Sequence, residues 1–100
     1  MKTITICGSM RYSEEMKHIA LELEMHNGFN VLQCVYNSGN VDISHTEKKA
    51  LGNAHLKKID LSDAIYVLDI DGYIGESVKK EIDYARMNGK EVIFHSQFHK

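Results

Sequence analysis

The feature that most constrains this chain is the regular alternation of short apolar, β-branched runs with longer amphipathic stretches. The apolar runs lie at residues 3–7, 29–36, 64–70 and 91–95, and the helical stretches between them at residues 13–28, 44–63 and 76–89. Strands that alternate with helices favour a parallel sheet with right-handed crossovers. We therefore expect a small three-layer α/β fold, Rossmann-like or flavodoxin-like, with a four-stranded parallel sheet in the order 2-1-3-4.

Residues typical of helix caps mark the ends of the predicted helices. Ser13 is a candidate N-cap for the first helix, and Asn27-Gly28 is a candidate C-cap. Because glycine lowers helix stability, the second helix is expected to weaken or break near Gly52. Ser77 is a candidate cap for the third helix.

Composition and charge narrow the class of protein further. One hundred residues with a formal net charge of -2 are expected to form a single domain, residues 1–100, that binds no nucleic-acid polymer. No apolar run approaches the roughly 20 residues that span a bilayer, so no membrane partner is expected. Cys7 and Cys34 both lie in runs predicted as strands, which favours buried, reduced thiols and, with no signal peptide after Met1, a cytoplasmic protein. Residues 37–43 are expected to form a polar turn.

Two loops are expected at the carboxyl ends of the predicted strands, where α/β sheets bind ligands near the topological switch. The first carries Gly8, Ser9, Met10 and Arg11 between a strand and a helix. Free backbone N–H groups at a helix start favour an anion, and Arg11 would add a positive charge. A plain turn explains the same segment, which is neither a dinucleotide fingerprint nor a P-loop.

The second loop lies in front of the third helix. Gly72 and Gly75, three residues apart, permit backbone conformations closed to other residues, and Tyr73 lies between them. Glu81 follows Ser77 by four residues, so both lie on one side of the helix. Either this loop delivers the Glu81 carboxylate to a site, or Glu81 pairs with a neighbouring cation, Lys80 or Arg86, at the surface.

The remaining candidates are two aspartates and a histidine. Asp69 and Asp71 lie at the carboxyl end of an apolar strand, where a carboxylate needs a partner or a ligand. Asp71 has the alternative role of starting the turn. The six histidines show no metal-ligand spacing, so no metal is expected, and His55 matters for the reason given below. The first strand ends without an acidic pair, which excludes a receiver-type phosphoacceptor.

Three segments together resemble a known family. "ICGSMR" near the start, "SDAIYVLDI" in the middle and "EIDYARMNGKEV" near the end are similar to motifs of the nucleoside 2-deoxyribosyltransferase superfamily, which includes the 2'-deoxynucleoside 5'-phosphate N-hydrolases. The resemblance spans residues 3–94 in the right order. It implies a small-molecule nucleoside or nucleotide as ligand, no cofactor, and a homodimer or larger homo-oligomer. Tyr84 and Met87, on the flank of the Glu81 helix that is expected to be exposed, are candidate interface residues.

The resemblance also implies roles for individual residues. Glu81 takes the place of the family's nucleophile, which attacks the anomeric carbon and forms a glycosyl-enzyme ester that water or a second base then traps. The loop from Gly8 to Arg11 would lie by the base and near a 5'-phosphate. Gly75 stands where family members carry an acid or a phosphate-binding serine, and Ser77 is the nearest substitute.

The chain also departs from the family pattern at three places. Thr5 stands where the family has a tyrosine that orients the nucleophile, so Tyr12 or Tyr73 would have to replace it. His55 stands where the family has an aspartate near the substrate. The sequence also ends soon after the last strand, without the segment that completes a neighbour's site. An N-hydrolase, a transferase and a non-catalytic nucleotide-sensing module therefore stay open, and a flavodoxin-like cofactor carrier is the remaining alternative.

Overall fold

The four strands form one parallel sheet in the order β2-β1-β3-β4, which confirms the predicted fold class. The structure, a computed structural model, describes residues 1–37 and 39–98. Ser38, inside the predicted polar turn, and the last two residues of the predicted domain lie outside the described part. The elements are β1 (Thr3–Cys7), α1 (Ser13–His26), β2 (Asn30–Leu32), α2 (His45–Asp60), β3 (Ala64–Val67), α3 (Glu76–Met87), β4 (Glu91–Phe94) and α4 (His95–Phe98).

Each face of the sheet has its own apolar core, because side chains alternate along a strand. Ile4 and Ile6 of β1 pack toward Met16, Ala20 and Leu23 of α1. The opposite face buries Cys7, Ile65 and Val67 against α2 and α3, through Ile59, Val78, Ile82 and Ala85. α3 therefore lies across the sheet from α1, and the molecule has three layers.

Three strands are shorter than predicted, and β4 is so by a single residue, because His95 begins α4. β2 covers three residues because it is an edge strand that pairs with β1 alone. Cys34 consequently lies beyond the strand and is half-buried, so the prediction of a second strand cysteine was wrong. β3 ends at Val67, since the chain then turns through a single 3-10 turn, Ile70–Gly72.

α1 and α3 begin at the predicted residues, Ser13 and Glu76, but neither predicted serine cap is found. A 3-10 turn, Met10–Tyr12, precedes α1, and Ser9 caps that turn while Ser13 is already helical. α3 begins after Gly75, and Ser77 lies inside the helix instead of capping it. α2 runs unbroken through Gly52, where an added side chain would extend into open space.

A short helix that the sequence did not predict closes the described chain. In α4, Nδ1 of His95 lies 2.6 Å from the Tyr66 hydroxyl. Phe98 packs edge-on against Tyr66 and tilted against Phe29. None of the helices within residues 1–37 and 39–98 combines the length and the apolar character needed to cross a bilayer.

Candidate functional site

A cavity of about 370 Å³ lies where the loop after β1 faces the start of α3. β1 and β3 are neighbours in the sheet, and their chains leave toward α1 and α3 on opposite faces. This divergence is the topological switch at which open α/β sheets bind ligands. The lining residues come from both loops and from the first turns of α3: Gly8, Ser9, Met10, Tyr73, Gly75, Glu76, Ser77, Val78 and Glu81.

Glu81 presents a largely buried carboxylate to this cavity. Its side chain is 20% exposed, and Oε1 lies 3.3 Å from Nε2 of His55 on α2. The surface pair with Lys80 or Arg86, which the sequence left open, is therefore not the arrangement found. A mostly buried carboxylate needs a polar partner, and His55 supplies it.

His55 places one ring nitrogen between two other side chains. Nε2 lies 3.5 Å from Sγ of Cys7 as well as 3.3 Å from the Glu81 carboxylate. Nδ1 is buried and has no hydrogen-bond partner among the described residues. If Nε2 carries the ring proton, it donates toward Glu81 and Nδ1 keeps a lone pair, which avoids a buried, unsatisfied N–H group.

The thiol of Cys7 is not an activated nucleophile. Burial, reinforced by the negative charge of Glu81, raises the pKa of Cys7 well above its ordinary value. A cysteine protease-like triad would use the two ring nitrogens for the thiol and the carboxylate separately. Here both groups meet the same nitrogen, so the geometry excludes that triad.

Two further cavities adjoin the first through Met10. A small one of about 70 Å³ is lined by His55 and Glu81 together with Ile6, Gly8, Met10, Met16 and Cys34. A larger one of about 460 Å³ lies between α1 and the loop after β2, lined by Met10, Ser13, Glu14, Lys17, Tyr36, Asn37, Asn40 and Ile43. Lys17 lies over the Tyr36 ring, 4.9 Å from its centroid.

Sequence analysis did not single out the residues of the larger cavity. They belong to two segments whose proximity depends on the path of the loop after β2. The apolar and polar pattern of the sequence carries no signal for that path.

Some predicted site residues lie outside these three cavities. Arg11 stacks on Tyr73, 4.2 Å from the ring centroid. The Asp69 carboxylate accepts hydrogen bonds from the backbone N–H and the hydroxyl of Ser96, which are the protein partners it requires. Asp71 and Gly72 form the exposed 3-10 turn with positive φ, as the turn alternative for Asp71 expects.

The Thr5 side chain makes its hydrogen bonds to residues of the segment that follows α2 and of its last turn, and not to Glu81. Its Oγ1 lies 2.6 Å from Oγ of Ser62 and donates to the Lys58 carbonyl oxygen at 3.0 Å. The aromatic pair proposed to replace the family tyrosine, Tyr12 and Tyr73, meets edge to face with centroids 6.4 Å apart. Glu81 pairs with His55 instead, with Oε1 3.3 Å from Nε2.

Cys7, His55 and Glu81 each place one potential metal-ligand atom within 4.8 Å of the other two. No spacing rule could have found this group, because its members come from β1, α2 and α3. The sequence signal was weak but present. Cys7 lies inside the "ICGSMR" motif, and His55 and Glu81 were each singled out separately.

Comparison of the chain with protein-family models, with curated proteins and with solved structures found no match. The resemblance to the nucleoside 2-deoxyribosyltransferase superfamily therefore stays a prediction that rests on the three motifs.

Proposed function

We propose that this protein binds a nucleoside or nucleotide and cleaves or transfers its N-glycosidic bond, with Glu81 as the nucleophile. The observation that carries the proposal is the Glu81 carboxylate, oriented by His55 and facing the cavity at the switch between β1 and β3. The cavity volume, about 370 Å³, falls within the roughly 300–1,000 Å³ typical of small-molecule sites.

The proposed reaction follows the retaining mechanism of glycosidases. Glu81 attacks the anomeric carbon as the bond to the base breaks, and the base leaves with the electrons of that bond. The resulting sugar ester is released by water in hydrolysis or by a second base in transfer. An N–H from His55 to Oε1 holds the carboxylate in place and leaves Oε2 for the attack.

The other lining residues suit the rest of such a ligand. Tyr73 contributes an aromatic ring to the cavity lining, and Arg11, outside that lining, stacks on the ring and adds a positive charge beside it. The base would lie against Tyr73 and Met10, since bases stack well on aromatic rings. Gly8 also lines the cavity, and close packing requires glycine there, because a Cβ would meet Met16 Sδ at 3.1 Å and Leu68 Cβ at 3.3 Å.

Assembly and location form part of the proposal. We expect a homodimer or larger homo-oligomer without a cofactor, in the cytoplasm, where Cys7 and Cys34 would stay reduced. Met87 is 86% exposed on α3 and remains a candidate interface residue. Tyr84 donates to Asp60 within the chain and packs on the core, so it is a weaker candidate. Light scattering at micromolar concentration tests this, and a monomer mass would contradict it.

A screen for released base tests the activity. Ribo- and deoxyribonucleosides and their 5'-phosphates are incubated with the protein, and free base is measured by chromatography. We expect release by the wild type and by Asp83→Asn, which removes a charge from the exposed side of α3. Glu81→Gln should release none. Tight binding of a nucleotide by the wild type without any base release would contradict catalysis and favour the sensing module.

A further inference from the structure

We propose that Cys7, His55 and Glu81 form a binding site for a zinc ion, with the sulfur, Nε2 and one carboxylate oxygen as ligands. These are the three ligand types that zinc prefers in proteins, and their atoms already lie within 4.8 Å of one another. Sites with three protein ligands leave a fourth position to a solvent molecule. The cavity of about 70 Å³ lined by His55 and Glu81 has room for it.

Two of the three separations between the ligand atoms match those around a tetrahedral ion. Zinc lies about 2.3 Å from sulfur and about 2.0–2.1 Å from imidazole nitrogen, which holds those two atoms about 3.5 Å apart. The same geometry separates the nitrogen from a carboxylate oxygen by about 3.3 Å. Sγ of Cys7 and Nε2 of His55 lie 3.5 Å apart, and Nε2 and Oε1 of Glu81 lie 3.3 Å apart.

Nε2 of His55 is shared between two side chains, which also favours a cation at this place. A hydrogen-bonded chain would use each ring nitrogen once, whereas both neighbours of His55 converge on Nε2. A single proton on Nε2 cannot serve both the thiol and the carboxylate, whereas one zinc ion can bind the nitrogen, the sulfur and a carboxylate oxygen together. Zinc displaces the thiol proton of Cys7 to solvent, forms the Zn–S bond and binds the lone pair of Nε2, and the ring proton of His55 moves from Nε2 to Nδ1.

The surroundings of Nδ1 set the strength of the site. Histidine ligands usually donate the other ring N–H to a partner, and loss of such a partner commonly weakens metal affinity by about 10–100-fold. Nδ1 of His55 has no hydrogen-bond partner among residues 1–37 and 39–98. The site therefore binds zinc reversibly, and a chelator such as EDTA should remove the ion.

This site has a consequence that rests on the proposed function. A carboxylate that coordinates zinc is not free to attack a sugar, so zinc should inhibit base release and EDTA should restore it. Metal binding itself requires no turnover. A protein that binds zinc but releases no base refutes the catalytic proposal alone, and one that releases base without binding zinc refutes the zinc site alone.

Calorimetric titration of the intact protein with Zn²⁺ tests the site. We expect one ion per chain, with affinity reduced at least tenfold in Cys7→Ser and in His55→Gln. Two matched controls should bind as the wild type does: Cys34→Ser, a thiol that lines the small cavity outside the cluster, and His26→Gln. His26 faces Glu22 at 3.8 Å on the surface, without a cysteine.

Cobalt substitution keeps the test decisive if a variant fails to fold. Co²⁺ bound to the wild type should show the thiolate-to-metal charge-transfer band in the near ultraviolet and the visible bands of a tetrahedral ion. Absence of the charge-transfer band, or equal zinc affinity in wild type, Cys7→Ser and His55→Gln, would overturn the proposal. Loss of binding in Cys34→Ser or His26→Gln alone would overturn it as well.

Discussion

Single atoms decide the behaviour of the site, and Nε2 of His55 is the clearest case. It contacts the carboxylate of Glu81 and the thiol of Cys7 at once. The sequence marked Glu81 and His55 independently but gave no sign that they touch, because their contact depends on how α2 packs beside α3. Thr5, where the family tyrosine was expected, bonds to Ser62 and Lys58, and in the proposed mechanism His55 takes over the orienting role.

Tyr66 provides a prediction on pH at the same scale. Burial, with a smaller contribution from the charge of Asp69, raises the pKa of Tyr66 to about 12. An unfolded tyrosine ionises near pH 10, so the folded protein holds the phenol proton more tightly than the unfolded chain does. The resulting stabilisation is fully present below pH ~10 and is lost as the pH rises toward about 12.

Chemical denaturation across this pH window tests the effect. The unfolding free energy of the wild type should fall more steeply than that of Tyr66→Phe. Tyr36 and Tyr84, whose pKa values are also raised, are present in both proteins, so the difference isolates Tyr66. Parallel curves for the two proteins would show that the Tyr66 hydroxyl does not hold its proton in this way.

Among the elements, α2 shows most clearly that the local preference of the sequence can differ from the observed structure. Gly52 predicts a weak point, yet the helix continues from His45 to Asp60. It begins with a capping box in which Ser44 and Glu47 satisfy each other's backbone N–H groups. An exposed mid-helix glycine costs about 1 kcal/mol relative to alanine, which does not break a helix that is capped and packed.

Substitution of two glycines tests this account of the helices. Gly52→Ala should raise the unfolding free energy by about 0.5–1 kcal/mol, since open space surrounds the position. Gly89→Ala is the opposite control. Gly89 follows the end of α3 with φ +71°, which alanine adopts only with strain, so this substitution should lower the unfolding free energy by about 1 kcal/mol. Thermal or denaturant unfolding measures both. Destabilisation by Gly52→Ala would mean that α2 is not regular at that residue.

The same comparison shows how far sequence predicts elements. β1 and α3 follow from strong periodicity and were predicted to within two residues at each end. The length of β2 was not predictable, because an edge strand extends only as far as its one neighbour pairs with it. α4 has four residues, too few for a helical period, and depends on packing against Tyr66 and Phe29.

At the scale of the whole molecule, the strand order accounts for most of the site residues that the sequence predicted correctly. The order 2-1-3-4 places the carboxyl ends of β1 and β3 side by side, so the two candidate loops had to meet. Gly8, Ser9, Met10, Tyr73, Gly75 and Ser77 do line one cavity with Glu81. The Cys7–His55–Glu81 cluster and the cavity beyond Met10 escaped prediction, because they depend on contacts between elements distant in sequence.

The proposed mechanism requires Glu81 to form a covalent bond to the sugar of the substrate. The protein is denatured during turnover, digested, and the peptide that contains Glu81 is analysed by mass spectrometry. We expect a sugar adduct on Glu81 in the wild type and in Asp83→Asn. Glu81→Gln should show no adduct and a rate of base release lower by ~10⁴ or more, while binding survives. Base release by Glu81→Gln at the wild-type rate, in a preparation free of contaminating nucleosidase, would contradict this mechanism.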